Sequence, residues 1–178
     1  MNGTTRPEPL AARPIASVIR MLLQSCQRIP DSVIALLARF SIAAIFWQSG
    51  QTKVEGWAID LFSGTLQLGW PRLSDGAVYL FREEYRLPLL EPELAALLAA
   101  TAEHLFPLLL LLGLGTRLAA CGLLIMTLVI QVLVYPDAYA THGVWAACLL
   151  FLLARGPGVV SVDQWLVRQW QRQAQCRR

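Results

Sequence analysis

Three ionisable residues stand where an apolar sequence should carry none. Arg39 lies inside the run Ser32–Gly50 (SVIALLARFSIAAIFWQSG), and Glu103 and His104 sit side by side inside the run Leu94–Leu114. An arginine supplies a fixed charge and several donors, a carboxylate holds or releases a proton, and an imidazole titrates near neutrality. These are the residue types of a proton-handling or ligand-orienting site in a low-dielectric interior. A charge at a bilayer centre costs roughly 2.5–3.5 kcal/mol on insertion scales, so such residues face a bundle interior and find partners there. At about 1.5 Å of rise per residue, Arg39 lies about 12 Å into its run and Glu103 about 18–20 Å from the same side. The difference is about one arginine side chain, which predicts an Arg39–Glu103 pair. Such a pair fits a structural register lock, and it fits a proton or ligand site. His104 is turned about 100° from Glu103; it fits a plain hydrogen bond to a neighbour or a functional role. Pro107 removes a backbone donor and predicts a kink one turn beyond Glu103.

A second polar set falls toward the other end of the same runs. Gln48 and Gln131 lie at similar depth, with Lys53, Glu84, Tyr85, Tyr135 and His142 around them. One reading is a polar chamber under an aromatic lid. The other is interfacial anchoring by Trp, Tyr and Lys, which explains the aromatic residues but not two glutamines inside apolar runs.

The elements that must position these residues follow from composition. The chain has 178 residues, of which 56% are hydrophobic and only 15% charged, against about 25% charge in an ordinary soluble domain. That excess leaves too little polar material to cover a soluble surface, so the partner is a lipid bilayer. Basic residues are dispersed, with no helix presenting consecutive basic turns, which excludes a nucleic-acid partner. The four cysteines, Cys26, Cys121, Cys148 and Cys176, form no CxxC and no cluster with histidine, so no metal site is expected.

Four spans are predicted at about 32–50, 94–114, 118–134 and 138–154, each long enough at about 25–31 Å to cross a hydrocarbon core. Backbone groups in lipid need internal partners, so the spans are helices and the fold class is all-α, a four-helix transmembrane bundle. With the N-terminus inside, ten arginines from Arg6 to Arg178 fall on inner segments and four basic residues (Lys53, Arg72, Arg82, Arg86) on outer ones. That bias places both termini in the cytoplasm. Residues 1–30 form a basic segment whose Ile15, Val18, Ile19, Leu22, Leu23 and Cys26 share one helical face, and a second amphipathic helix carries Val162, Trp165, Leu166 and Trp170. Both are expected to lie on the membrane surface. The membrane domain covers 31–166 and a basic tail 167–178. The outer loop, 51–92, is too rich in Trp57, Leu61, Phe62, Trp70, Tyr79, Phe81 and Tyr85 to be freely solvated, and one or two short helices are expected there.

The chain resembles the DoxX family of small bacterial membrane proteins. The resemblance rests on Phe46-Trp47-Gln48-Ser49-Gly50 with Lys53, Glu84-Tyr85 with Leu87-Pro88, Glu103, Gly113-Leu114-Gly115-Thr116-Arg117, Met126, Gln131, Tyr135-Pro136, His142, Trp145, and Arg155-Gly156-Pro157-Gly158 with Ser161 and Asp163. Order and spacing agree over roughly residues 31–166. The resemblance implies a four-helix bundle in the bacterial inner membrane and a membrane subunit of a redox or stress pathway. The long outer loop and the EY-x-LP segment resemble members encoded beside proteins of peptide-modifying, metal-stress operons. No catalytic residue carries over. Redox chemistry here would use a membrane quinone, whose carbonyls need hydrogen-bond donors and a proton relay, and Arg39, Glu103, His104, Gln48 and Gln131 are the residue types for it. Two competing expectations are a non-catalytic anchor or assembly factor docking a periplasmic partner, and a small-solute transporter.

Overall fold

Apolar composition sets helix lengths here, and turn chemistry sets helix ends. A computed structural model of the chain describes residues 12–60 and 64–176; Arg6, Leu61, Phe62, Arg177 and Arg178, and the side chains of Ile15, Cys26 and Cys176, lie outside the described residues. The chain divides into two units, Met1–Asp31 and Ser32–Arg178. The first holds α1 (Ala12–Gln27), which exposes Val18, Ile19, Met21, Leu22 and Leu23.

In the second unit lies the bundle. The helix α2 (Asp31–Gln51) opens with its acidic residue in the first turn, where it complements the helix dipole. A β-hairpin follows, β1 (Val54–Asp60) antiparallel to β2 (Thr65–Leu73), then a short helix α3 (Asp75–Leu80) that widens into a π-turn at Phe81–Tyr85. The loop therefore contains the expected short helix and also a hairpin that hydropathy did not announce. Its strands come so close that a Cβ on Gly69 would lie 2.2 Å from the Gly56 carbonyl oxygen, a contact that glycine alone permits.

The long helix α4 (Pro92–Leu112) starts on a proline, continues through Pro107, and ends at Gly113 in the left-handed conformation. The tight turn Gly113–Gly115 leads to α5 (Thr116–Val129), whose last turn widens over Ile130–Val134. After Pro136–Ala138, α6 (Tyr139–Arg155) returns, and α7 (Val162–Cys176) exposes Trp165, Leu166, Val167 and Trp170. Among the described residues, four segments are long and apolar enough to cross a membrane: Asp31–Gln51, Pro92–Leu112, Thr116–Val134 and Pro136–Arg155. They match the predicted spans to within about two residues at each end.

Small residues bring the spans together. Ala35, Ala38, Ala43, Ala119 and Ala120 are buried with Ile42, Phe46, Leu110, Leu123, Leu149 and Leu152 in one core, as expected where close backbone approach replaces the hydrophobic effect. Large residues point outward instead, including Leu37, Phe40, Leu105 and Ile125. A second cluster, Ala77, Phe81, Ala95 and Ala96, packs α3 and its π-turn against the first turns of α4. That cluster holds the loop over the N-terminal half of α4.

Candidate functional site

The C-terminal end of α2 abuts the middle of α4, and Gly50 is the contact. A Cβ at Gly50 would lie 2.9 Å from His104 Cε1 and 3.1 Å from Glu103 Cβ. Because the helices touch there, side chains from the end of α2 reach Glu103. Lys53 Nζ lies 2.7 Å from Glu103 Oε2. The Ser49 hydroxyl donates to Glu103 Oε1 at 3.2 Å and accepts from Lys53 Nζ at 3.1 Å. Lys53 and Glu103 are 5% and 3% exposed, so a charge pair with a bridging hydroxyl sits in a dry interior. In such surroundings each charge depends on the other, because the desolvation cost of a lone ion is several kcal/mol.

His104 faces the adjacent side. Its Nδ1 lies 2.7 Å from the Ala100 carbonyl oxygen and its Nε2 lies 2.8 Å from Gln51 Nε2. A carbonyl accepts only, and an amide nitrogen donates only, so the consistent tautomer carries the proton on Nδ1. Gln51 completes the chain by accepting the Ile59 N–H at 2.7 Å. Trp47 donates to the Ile59 carbonyl at 2.8 Å, and the rings of Trp47 and Trp57 flank the imidazole at centroid distances of 5.1 and 5.4 Å. The β1 strand is thereby latched to both helices.

A third group lies where the π-turn meets the end of α5. Tyr135 donates to Glu84, and Tyr85 stacks edge-on between Phe81 and Tyr135. The Glu84 carboxylate as acceptor holds the Tyr135 phenol well above its ordinary range. Burial pushes Tyr85 up, with the negative charges of Glu103 and Glu84 adding to the effect. Nearby, His142 Nδ1 lies 2.8 Å from Gln131 Oε1, while Gln131 Nε2 donates to the Pro136 carbonyl at 2.5 Å. His142 is buried against Trp145, whose ring meets Phe46 of α2.

Two expectations change. Arg39 does not pair with Glu103. It is 2% exposed and spends its donors on carbonyl oxygens: Leu110 (2.6 Å), Leu111 (2.7 Å), Val160 (2.7 Å) and Pro157 (3.1 Å). The last carbonyls of α4 carry the negative end of its dipole, so together with those of Pro157 and Val160 they solvate the guanidinium directly, and the Asp163 carboxylate adds a favourable field without touching it. Leu110 lies seven residues from Glu103 along α4, about 10 Å away. Depth counting assumed that the two interior charges must meet; backbone carbonyls took the arginine's donors instead. Gln48 also departs from the interior set, because it lies on the exposed face of α2. Ser49 and Gln51 take the roles that depth counting gave to it. Gln51 is the first residue past the apolar run, so a polar side chain just beyond the end of a span is the signal that could have found it.

The fold and this arrangement of buried charge define a four-helix membrane protein with a polar centre at one end of its bundle. A family model described as DoxX matches residues 34–136, over half of the chain, and the chain belongs to the DoxX family. The match takes in Arg39, Ser49, Lys53, Tyr85, Glu103 and Gln131 and stops before His142 and Asp163. No curated protein and no solved structure matches the chain.

Proposed function

We propose that this protein is a membrane subunit of a redox or stress-response pathway in the bacterial inner membrane, with both termini cytoplasmic, and that its polar centre receives the headgroup of a membrane quinone. The observation that carries the reading is the Lys53–Glu103 pair bridged by Ser49 in a water-poor interior. A quinone carbonyl needs a donor, and its reduction needs protons delivered where water does not reach. Lys53 is the donor in this reading and Glu103 the proton carrier, while Tyr85, felt electrostatically by Glu103, links the pair toward Tyr135 and Glu84. His104, fixed as an acceptor at Nε2, positions the hairpin. Arg39 drops out of the site, being committed to the opposite end of the bundle. The exposed apolar residues of α1 and of α7 make each a surface helix in this reading.

A second reading, an anchor that docks a periplasmic partner, is favoured by a separate observation. Leu66, Leu68 and Trp70 alternate along β2 and are 67%, 75% and 83% exposed, an apolar row on one face of the hairpin.

One comparison separates the two. The solvent extract of the purified protein is analysed for quinones, and a deletion strain is complemented with Glu103→Gln or with Leu66→Ser/Leu68→Ser/Trp70→Ser, each checked for membrane insertion. The quinone reading expects a co-purifying quinone and loss of complementation with Glu103→Gln, which keeps size and hydrogen bonding but removes charge and the exchangeable proton. Full complementation by Glu103→Gln together with failure of the hairpin variant would transfer the conclusion to docking.

A further inference from the structure

The hairpin has an apolar face that the bundle covers only in part. Trp57 stands opposite Leu68 and Ile59 opposite Leu66 across the two strands, and directly opposite residues in an antiparallel pair point to the same side. The β1 half of that side rests on the helices: Trp57 lies against the rings of Trp47 of α2 and His104 of α4 at centroid distances of 5.6 and 5.4 Å. The β2 half is bare, with Leu66 and Leu68 exposed. Thr65 and Gln67, also exposed, alternate with them and make the other face polar.

What surrounds the two leucines follows from where the hairpin sits. On α4, Leu97 and Leu108 lie two turns before and one turn after His104 on the same helix face, and they are 52% and 44% exposed. On α2, Phe40 lies two turns before Trp47 on its face and is 52% exposed. Both helices are long and apolar enough to span the membrane, so large apolar residues exposed on their flanks meet acyl chains. The hairpin is therefore laid against a lipid-facing flank of the bundle, with lipid-facing residues on either side of it along α4. Its backbone suits that place. The free edge of β1 is closed at Ile59, whose carbonyl accepts the Trp47 indole N–H at 2.8 Å and whose own N–H donates to Gln51 at 2.7 Å, as a strand edge away from water requires.

We infer that the hairpin is a membrane-inserted element: Leu66 and Leu68 enter the lipid leaflet on their side of the bilayer, and acyl chains cover the bare face. Gln67 needs headgroups or water, and so does the edge of β2 that has no strand beside it among the described residues. That need sets the depth at the boundary between headgroups and acyl chains. Trp70, exposed further along the same strand, is the residue type that anchors at this level. So placed, the row is closed to a soluble partner; the inference competes with the docking reading and is independent of the quinone one.

The test places one nitroxide at a time on the full-length protein, its four native cysteines replaced by serine, with a single copy in each nanodisc of phosphatidylethanolamine and phosphatidylglycerol. Leu66→Cys and Leu68→Cys carry the label on the apolar face and Gln67→Cys on the polar one. All three positions are exposed, so the label displaces no packed group, and melting of each variant establishes folding. Power-saturation EPR compares collision with oxygen, which concentrates in lipid, against collision with a water-soluble nickel chelate. The oxygen-to-nickel ratio at both leucines should exceed that at Gln67 several-fold. Equal ratios at all three positions would put the row in water, and weak collision with both reagents at the leucines would show that protein covers it; either result overturns the proposal, whether or not a quinone is bound.

Discussion

Lys53 and Glu103 meet at 2.7 Å although one follows the first span and the other lies in the middle of the second. The pair exists because α2 ends beside the middle of α4, which lets a lysine beyond the helix terminus fold back along Ser49. The nearest alternative cation by depth, Arg39, is anchored elsewhere by four carbonyl oxygens. The two buried cations are thus stabilised separately, Lys53 by the carboxylate it touches and Arg39 by backbone carbonyls with Asp163 adding to the field.

Separate neutralisation predicts a pattern of coupling. Lys53→Met or Glu103→Leu alone should cost about 3–5 kcal/mol by stranding a buried charge, and the double variant should cost clearly less than the sum. Arg39→Leu combined with Glu103→Leu should be additive to within about 0.5 kcal/mol. Thermal or denaturant unfolding in detergent measures both cycles; strong Arg39–Glu103 coupling would contradict the separation.

Gly50 should resist enlargement. Alanine is the better helix former by about 1 kcal/mol, yet its Cβ would press on an imidazole held at both nitrogens and between two tryptophans. Gly50→Ala is expected to lose about 1–3 kcal/mol through overpacking. Adding His104→Ala should recover part of that loss in the same melting assay, and a melting point unchanged by Gly50→Ala would disprove the close packing.

Alkaline titration should show two phenols, Tyr85 and Tyr135, ionising late, the Tyr135 component being the one set by Glu84. The folded protein favours neutral Tyr135 because the phenol donates to Glu84. Its contribution to stability is therefore complete below the ordinary tyrosine value near 10 and is lost as pH rises through the elevated folded value. Glu84→Gln should move that component of the tyrosinate absorbance toward lower pH. A titration curve identical to the parent's would rule out the contact.

Membrane orientation is testable with thiol chemistry. A cysteine placed at the exposed hairpin residue Gln67 should react with a membrane-impermeant maleimide in spheroplasts, while native Cys26 and Cys176 should not. Labelling of the native terminal cysteines in sealed spheroplasts would reverse the proposed topology.

The amino-acid sequence alone determined the spans and the class of fold. Length, hydropathy and the punctuation at Pro92, Gly113, Gly115, Pro136 and Gly156 are local properties, and lipid leaves helices as the solution for such runs. It also marked Arg39, Glu103, His104, Gln131 and Lys53 as costly or unusual where they stand. Only tertiary structure decided how they pair. Partner choice depends on the vertical offset between α2 and α4, which the close contact at Gly50 sets through packing and no residue count reveals. The hairpin was hidden for a related reason: the alternation Leu66-x-Leu68-x-Trp70 is short, and a bulge in β2 sets Gly69, Trp70 and Pro71 opposite Gly56 alone. Arg39 shows the physical point most clearly, because its hydrogen-bond partners are backbone carbonyls of α4 and of the α6–α7 connection, groups every residue possesses and no sequence pattern distinguishes.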